Sequence, residues 1–487
     1  MSQKSIYNKI KEVANHSVIY GFGSVMQVAL GFILIPLYTH YMEPDVYGIL
    51  TILTICGTSV ALVFWLGIPA SLSRSYFDYA EGNERKRVVS TSLYLCLVGA
   101  CAQITLGFVL KEELSLAIFH TDAYSIHIFI ILISSAFGFL NELLFVILRF
   151  EKKSKQVVLV NFLYLTTSIT LIASLLIIFQ FGIMAPIVGL SISQALLFCV
   201  LFNLTKKSFC LDFSKHELII QIRFGVPVLI TGLSFYLLTT IDRMLINKFL
   251  SLDDVGVYSI GFLLGSSINI FLIMPFNQIW SAMRMEYLKD DNAQEFYKLI
   301  TTYFFMTGLL ITVSISIFAK EIIMLISSPD YLSAYKIVPM VMFAFLIKGG
   351  MGLIDNGIYF SRKVVYHTYI FIGLLFINLT LNYTLIPIFG YVAGAYSILL
   401  TFVIGFILVY YISNKLLKIK LESERLFKVF ISSGFVLMLG LLLTESDINL
   451  IIGLSLKLLM IISLVCFWYL FVVSKIEKEK LLSFVTQ

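Results

Sequence analysis

Apolar runs of about 20 residues or more recur from one end of this chain to the other. That feature leaves few folds open. A bilayer core offers no water, so each backbone N–H and C=O must be paired within its own segment, and a helix does this alone. The charged fraction of 13%, beside a hydrophobic fraction of 59% and a mean hydropathy of +0.94, agrees with this reading. The expectation is an all-α polytopic membrane protein with about 14 transmembrane helices. They are predicted at 17–40, 48–73, 88–110, 127–148, 156–180, 183–204, 224–246, 256–282, 298–319, 337–360, 364–387, 391–413, 426–444 and 449–473.

The loops give the orientation. With the N-terminus inside, roughly 28 of the 35 Lys and Arg fall in cytoplasmic segments. Basic clusters such as Arg85-Lys86-Arg87, Lys152-Lys153, Lys206-Lys207 and Arg362-Lys363 alternate with acidic loops carrying Glu43, Asp45, Asp253, Asp254, Glu445 and Asp447. A miscounted helix would spoil this alternation downstream, so both termini are expected in the cytoplasm, with the protein in the bacterial inner membrane. The net charge of +6 follows from that bias and implies no nucleic acid. Residues 1–16 read as a short cytoplasmic interfacial helix, with Ile6, Ile10 and Val13 on one face. The first apolar run is too long for a cleavable signal peptide.

Several function classes drop out. The loops are too short to fold a soluble catalytic domain. No G-x-x-x-x-G-K-[ST] motif occurs, and the six His are scattered without metal-ligand spacing. No cofactor or metal is expected. Five of the six Cys lie within spans and Cys210 on a cytoplasmic loop, so no disulfide framework is expected.

An internal repeat narrows the architecture. The acidic turn Glu43-Pro44-Asp45 leads to Gly48, and Asp253-Asp254 leads to Gly256, a shift of 208 residues. The same shift maps Phe181-Gly182 onto Phe389-Gly390, and Ala185 onto Ala393. Duplication in a membrane chain is a transporter signature. The predicted organisation is a cytoplasmic segment 1–16, a six-helix lobe 17–204, a cytoplasmic linker 205–223, a second six-helix lobe 224–413, two extra transmembrane helices in 414–474, and a cytoplasmic tail 475–487.

Charges inside or at the ends of spans are the functional candidates, because they are costly to keep in lipid. Arg149, Arg243 and Lys348 are the first choices as cavity cations, with Arg74 and Arg284 at the cytoplasmic mouth. Asp242, Glu142 and Asp355 are their candidate charge partners. Glu142 and Arg149 lie seven residues apart, as do Lys348 and Asp355, so each pair shares a helix face. Asp242 and Arg243 are adjacent and are expected to find separate partners. Positive-inside bias also accounts for Arg74, Arg149 and Arg284, and Arg243 is near enough to the outer end to snorkel. Lys457 reads as snorkelling at the lipid edge. Gly261 and Gly265 mark close helix packing, while Gln194, Asn378 and Asn382 either line a cavity or bond between helices.

These residues resemble a known family. The turn Glu43-Pro44-x-x-Tyr47-Gly48, the pair Asp242-Arg243-x-x-Ile246 with Asp254-Val255-Gly256-Val257-Tyr258, and Asn378-x-x-x-Asn382-Tyr383-x-x-Ile386-Pro387-x-x-Gly390-x-x-x-Gly394-Ala395 are similar to the Wzx-type polysaccharide flippases of the MATE-like MOP superfamily. So are Gly67-x-x-Ala70-x-x-x-Arg74-x-Tyr76 and Pro329-Asp330-Tyr331-x-x-Ala334. The resemblance implies two six-helix MATE-like lobes plus two C-terminal helices. It also implies transfer of an undecaprenyl-diphosphate-linked oligosaccharide from the cytoplasmic to the outer leaflet, by alternating access around a cationic cavity, for O-antigen, lipopolysaccharide or capsule synthesis. Its partners would be that polyprenyl-diphosphate-linked oligosaccharide, membrane lipids, and a polysaccharide polymerase with its chain-length proteins. Coupling to H+ or Na+ stays open. The alternatives are a MATE-like cation or drug antiporter, which would need more membrane carboxylates, and a membrane polysaccharide polymerase, which would need a large outer loop.

Overall fold

The computed structural model describes residues 30–79, 82–286, 293–361, 363, 365–418, 420–446, 448–474 and 477–478. The interfacial segment 1–16, the first part of the first expected span, Arg362, Asp447 and the last residues of the tail lie outside them. Among the described residues, thirteen helices are long and apolar enough to cross a membrane. The first expected span is described only as α1 (Leu30–Tyr41). The remaining helices are α2 (Pro44–Trp65), α3 (Ile68–Ser75), α4 (Asn83–Phe119), α5 (Ser125–Phe150), α6 (Ser154–Ala173), α7 (Met184–Thr205), α8 (Lys215–Leu238), α9 (Ile241–Phe249), α10 (Leu252–Gly265), α11 (Met274–Glu286), α12 (Ala293–Ile317), α13 (Ala319–Ile326), α14 (Val338–Ile354), α15 (Asn356–Phe360), α16 (Val365–Phe389), α17 (Val392–Leu416), α18 (Ser423–Thr444) and α19 (Leu450–Phe471).

Each expected span after the first is present, and local chemistry moves or splits several. The span expected at 224–246 starts earlier, at Lys215, because Ser214 caps it by accepting from the Glu217 backbone N–H at 3.3 Å. It then breaks at Thr239–Thr240 into α8 and α9. The helix expected at 88–110 runs from Asn83 to Phe119, so much of the expected outer loop is helical. The span at 48–73 bends where Leu66 and Gly67 both take left-handed φ, 52° and 64°. A side chain at Gly67 would also come within 2.4 Å of the Gly225 carbonyl oxygen, so α3 and α8 meet backbone to backbone.

The chain forms two compact units. The first runs to Gly256 and includes His367–Pro387. There α5 packs against α2, α4, α6 and α7, while α8 lies on α2, α3 and α4. Leu143, Leu144, Ile147 and Leu148 of α5 are fully buried at its centre. Contact and ancestry are different properties: α8, α9 and part of α16 find their contacts in this unit whichever repeat they descend from.

The second unit comprises Val257–Tyr366 and Ile388–Gln487. Here α14 packs on α12 and α17, and α18 lies on α12 and carries α19. Gly261 and Gly265 meet Ala334, Ile337 and Val341 so closely that side chains would collide, which is the tight packing their spacing indicated.

Within the first unit the duplicated glycines touch one another's turns. A Cβ on Gly48 would lie 2.1 Å from the Leu252 carbonyl oxygen, and one on Gly256 would lie 1.9 Å from that of Pro44. Each glycine therefore faces the residue four positions before the other.

Candidate functional site

The broken span between α8 and α9 gives the clearest local logic. A helix end leaves carbonyls without partners and carries partial negative charge, while a helix start favours an acid. Arg243 answers the first need: its Nη1 donates to the Thr239 carbonyl at 2.7 Å. Asp242, in the first turn of α9, answers the second by accepting the Arg243 backbone N–H at 2.8 Å. The two side chains also pair, Nη1 to Oδ1, at 2.9 Å, and both are buried. The two residues, which adjacency was expected to keep apart, therefore do meet, because the long Arg side chain folds back over the helix break and reaches its neighbour. Asn247 donates to the Ile118 carbonyl at 3.0 Å and ties α9 to the end of α4.

Glu142 and Arg149 do pair across two turns of α5, through Oε1 and Nη2. Both side chains stay more than one third exposed, at 36% and 39%. Arg149 also reaches the Phe145 carbonyl through Nε at 3.3 Å.

Asp355 forms an ion pair with Arg284 of α11 at 3.1 Å, a cation from outside its own helix. Spacing along one helix could not anticipate a cation from another. The Arg284 guanidinium lies 3.5 Å from the centre of the Tyr359 ring. Its Nε is buried and has no hydrogen-bond partner among the described residues. Tyr297 donates to the Arg284 carbonyl at 2.8 Å and steadies the backbone there. Lys348 is half-buried on α14. Arg74 is exposed, with its guanidinium 5.0 Å from the Phe224 ring.

A further ion pair escaped sequence reasoning. Lys457 of α19 is fully buried and donates to Glu321 Oε1 of α13 at 2.5 Å, so it does not snorkel. The partner lies 136 residues away, and no local signal marks it. The pair joins one of the two C-terminal helices to the core of the second unit.

A cavity of about 400 Å³ opens in the first unit among α2, α5, α6 and α7. Trp65, Phe139, Glu142, Tyr164 and Gln194 line it, together with hydroxyls of Thr54, Thr58, Ser134 and Ser135. A second space of about 280 Å³ shares Gly138, Glu142, Tyr164 and Gln194 and adds Asn141. Gln194, singled out in the sequence as a cavity or bonding residue, does both: Asn141 donates to its side chain at 2.8 Å, and it donates to the Tyr164 hydroxyl at 3.0 Å. Asn378 and Asn382 instead bond to each other at 2.9 Å along α16.

The geometry is that of a helical membrane protein holding several compensated charges and a largely apolar cavity edged with polar groups. A family model described as "Polysaccharide biosynthesis protein" matches residues 13–281, more than half of the chain. The chain belongs to that family. This family member also shares its fold with solved transporters. The lipid II flippase MurJ, in an inward closed conformation, superposes with a TM-score of 0.72 at 15% identity, over 94% of this chain and 99% of MurJ. An inward-facing multidrug resistance MATE family transporter of the MOP superfamily gives 0.62 at 14% identity, over 81% and 94%. The Vibrio cholerae MATE transporter VcmN gives 0.58 at 12%, over 85% and 98%. At such identities the likeness establishes fold alone. No curated protein matches the chain. The expected all-α polytopic fold, shared with solved transporters, and the expected polysaccharide-synthesis family are both borne out.

Proposed function

We propose that this family member moves a polyprenyl-diphosphate-linked oligosaccharide from the cytoplasmic to the outer leaflet of the bacterial inner membrane. The observation that carries this reading is the coincidence of a polysaccharide-biosynthesis family match with a fold that follows a lipid II flippase over 94% of the chain. Physical chemistry agrees. Sugar hydroxyls entering hydrocarbon would each lose hydrogen bonds worth several kcal/mol. A helical protein with polar groups at membrane depth supplies substitutes, while the polyprenyl tail stays in lipid.

In this reading the repeats 17–204 and 224–413 act in alternation, and the two C-terminal helices lie outside the duplication. The reciprocal approach of Gly48 and Gly256 supports a two-fold related origin. Arg149, Arg243, Lys348, Arg74 and Arg284 supply the positive charge for the diphosphate. Arg284 is suited to phosphate because its flat guanidinium is pre-positioned on Tyr359 and keeps an unpartnered Nε–H. Glu142, Asp242 and Asp355 neutralise the cations when substrate is absent, which limits the cost of charge at such depth. The product would pass to a polymerase and its chain-length proteins, and no chemistry is performed on the substrate.

The test is a deletion strain. Lipid-linked oligosaccharide should accumulate on the inner leaflet, and expression of the full chain should restore surface polymer. Normal translocation with altered polymer length would favour a polymerase. Loss of organic-cation efflux with intact surface polymer would favour an exporter.

A further inference from the structure

We infer that the cavity among α2, α5, α6 and α7 is a binding site for an uncharged sugar ring of the transported oligosaccharide. The inference rests on the flippase reading and deepens it, since it names the part of the substrate that this unit holds. At about 400 Å³ the cavity falls in the size range of small-ligand sites.

The wall chemistry selects the ligand. Trp65 and Phe139 meet edge to face at 5.5 Å, and Tyr164 adds a third ring, so the lining offers aromatic surface to the C–H face of a pyranose. Beside these rings stands an oriented polar row. Asn141 donates to both the backbone and side-chain oxygens of Gln194, at 2.9 and 2.8 Å. That fixes which way the Gln194 amide points and directs its Nε2 to the Tyr164 hydroxyl.

The row is also incomplete. Asn141 is 2% exposed, and its Oδ1 has no partner among the described residues. Trp65 Nε1 is likewise buried without one. The described contacts of Glu142 use only Oε1, which leaves Oε2 as an acceptor beside the cavity. Unmet donors and acceptors at span depth carry a free-energy cost that a ligand rich in hydroxyls relieves.

Charge then decides between classes. Glu142 is the single ionisable acid or base among the lining residues of both spaces apart from the Tyr164 phenol, and Arg149 already neutralises it. A cation would compete with Arg149, and an anion would meet the carboxylate. A neutral polyhydroxylated ring meets neither obstacle, and it can donate to Glu142 while accepting from the amides.

The experiment uses the full chain in nanodiscs and the methyl glycosides of glucose, galactose and N-acetylglucosamine as probes. Methyl glucuronide and tetraphenylphosphonium serve as the anionic and cationic comparisons. Saturation-transfer NMR reads glycoside binding, and native mass spectrometry reads binding of undecaprenyl diphosphate that carries no sugar. At least one neutral glycoside should bind saturably. Its affinity should fall about tenfold in Gln194→Ala and in the nearly isosteric Glu142→Gln, as loss of a charge-assisted hydrogen bond predicts. Gly138→Leu should fill the space and abolish glycoside binding, while undecaprenyl diphosphate binds the Gln194→Ala and Gly138→Leu variants as it binds the natural chain. If undecaprenyl diphosphate binds but no neutral glycoside does, the sugar site is overturned and the flippase reading stands. Equal glycoside binding by the natural chain and the Glu142→Gln and Gly138→Leu variants would also overturn it. So would preference for glucuronide or tetraphenylphosphonium. Failure of the natural chain to bind either undecaprenyl diphosphate or a glycoside would overturn both readings.

Discussion

Two ion pairs of the first unit, Asp242–Arg243 and Glu142–Arg149, have the same chemistry and opposite surroundings. The first sits in a helix break with side chains 2% and 7% exposed; the second lies along an unbroken helix at 36% and 39%. Burial changes what each pair can do. A desolvated pair is worth little relative to apolar packing, yet breaking it strands a charge, so it acts as a lock. A pair that stays exposed loses less when one member is removed, so it is free to serve a ligand. The contrast is between a charge pair that the fold depends on and one that it does not.

The strongest way to break this comparison is to remove one member of the buried pair. Asp242→Ala should cost about 3–5 kcal/mol, because Arg243 is left buried without its carboxylate. The thermal midpoint of the solubilised protein and its level in the membrane would fall together. Asp242→Asn, which keeps an acceptor for the Arg243 backbone N–H, should lose less. Wild-type stability in Asp242→Ala would mean that the pair is no lock.

Lys457 extends the comparison to the second unit. Lys457→Met should destabilise by about 3 kcal/mol by leaving Glu321 without its described ion pair. Adding Glu321→Leu should recover most of that, and a double-mutant cycle measures the coupling. No recovery would indicate that the loss came from packing of the Lys stem.

Arg284 is intermediate, at 12% exposure with both an ion pair and a stacked ring. Arg284→Lys should keep the attraction to Asp355 but lose the flat contact with Tyr359, at about 1 kcal/mol. Surface polysaccharide should fall further than stability does if the fork geometry holds phosphate. Matching losses would assign Arg284 a structural role only.

The smallest stability effect belongs to Arg149. Arg149→Ala should cost under about 1 kcal/mol, since the pair is half-exposed. Surface polysaccharide should nevertheless be lost at wild-type protein levels. Normal polymer from that variant would leave Arg149 as a positive-inside residue.

The helices were legible because run length and loop charge need no knowledge of neighbours. Their breaks were less so. Ser214 with Glu217 is a capping signature that places the start of α8 earlier, whereas no residue at Thr239–Thr240 forces a break by itself. The candidate charges were legible as well, since acids and bases stand out in apolar runs. Their partners were legible only where helical spacing sets them, as for Glu142 with Arg149. Spacing did not reveal Arg284 beside Asp355, and adjacency misled for Asp242 and Arg243, where side-chain length outweighs the direction of the two Cβ atoms.

By itself the sequence determined that this chain spans a membrane many times, how its loops alternate in charge, and which ionisable residues lie in or beside its spans. Those are one-dimensional properties set by transfer free energies, residue by residue. Only the tertiary structure decided that Lys457 meets Glu321, that Arg284 reaches Asp355, and that Trp65, Glu142, Tyr164 and Gln194 surround one cavity. Pairing across helices depends on how their faces pack. Packing between apolar surfaces is set by shape at close range, and pattern along the chain does not record it.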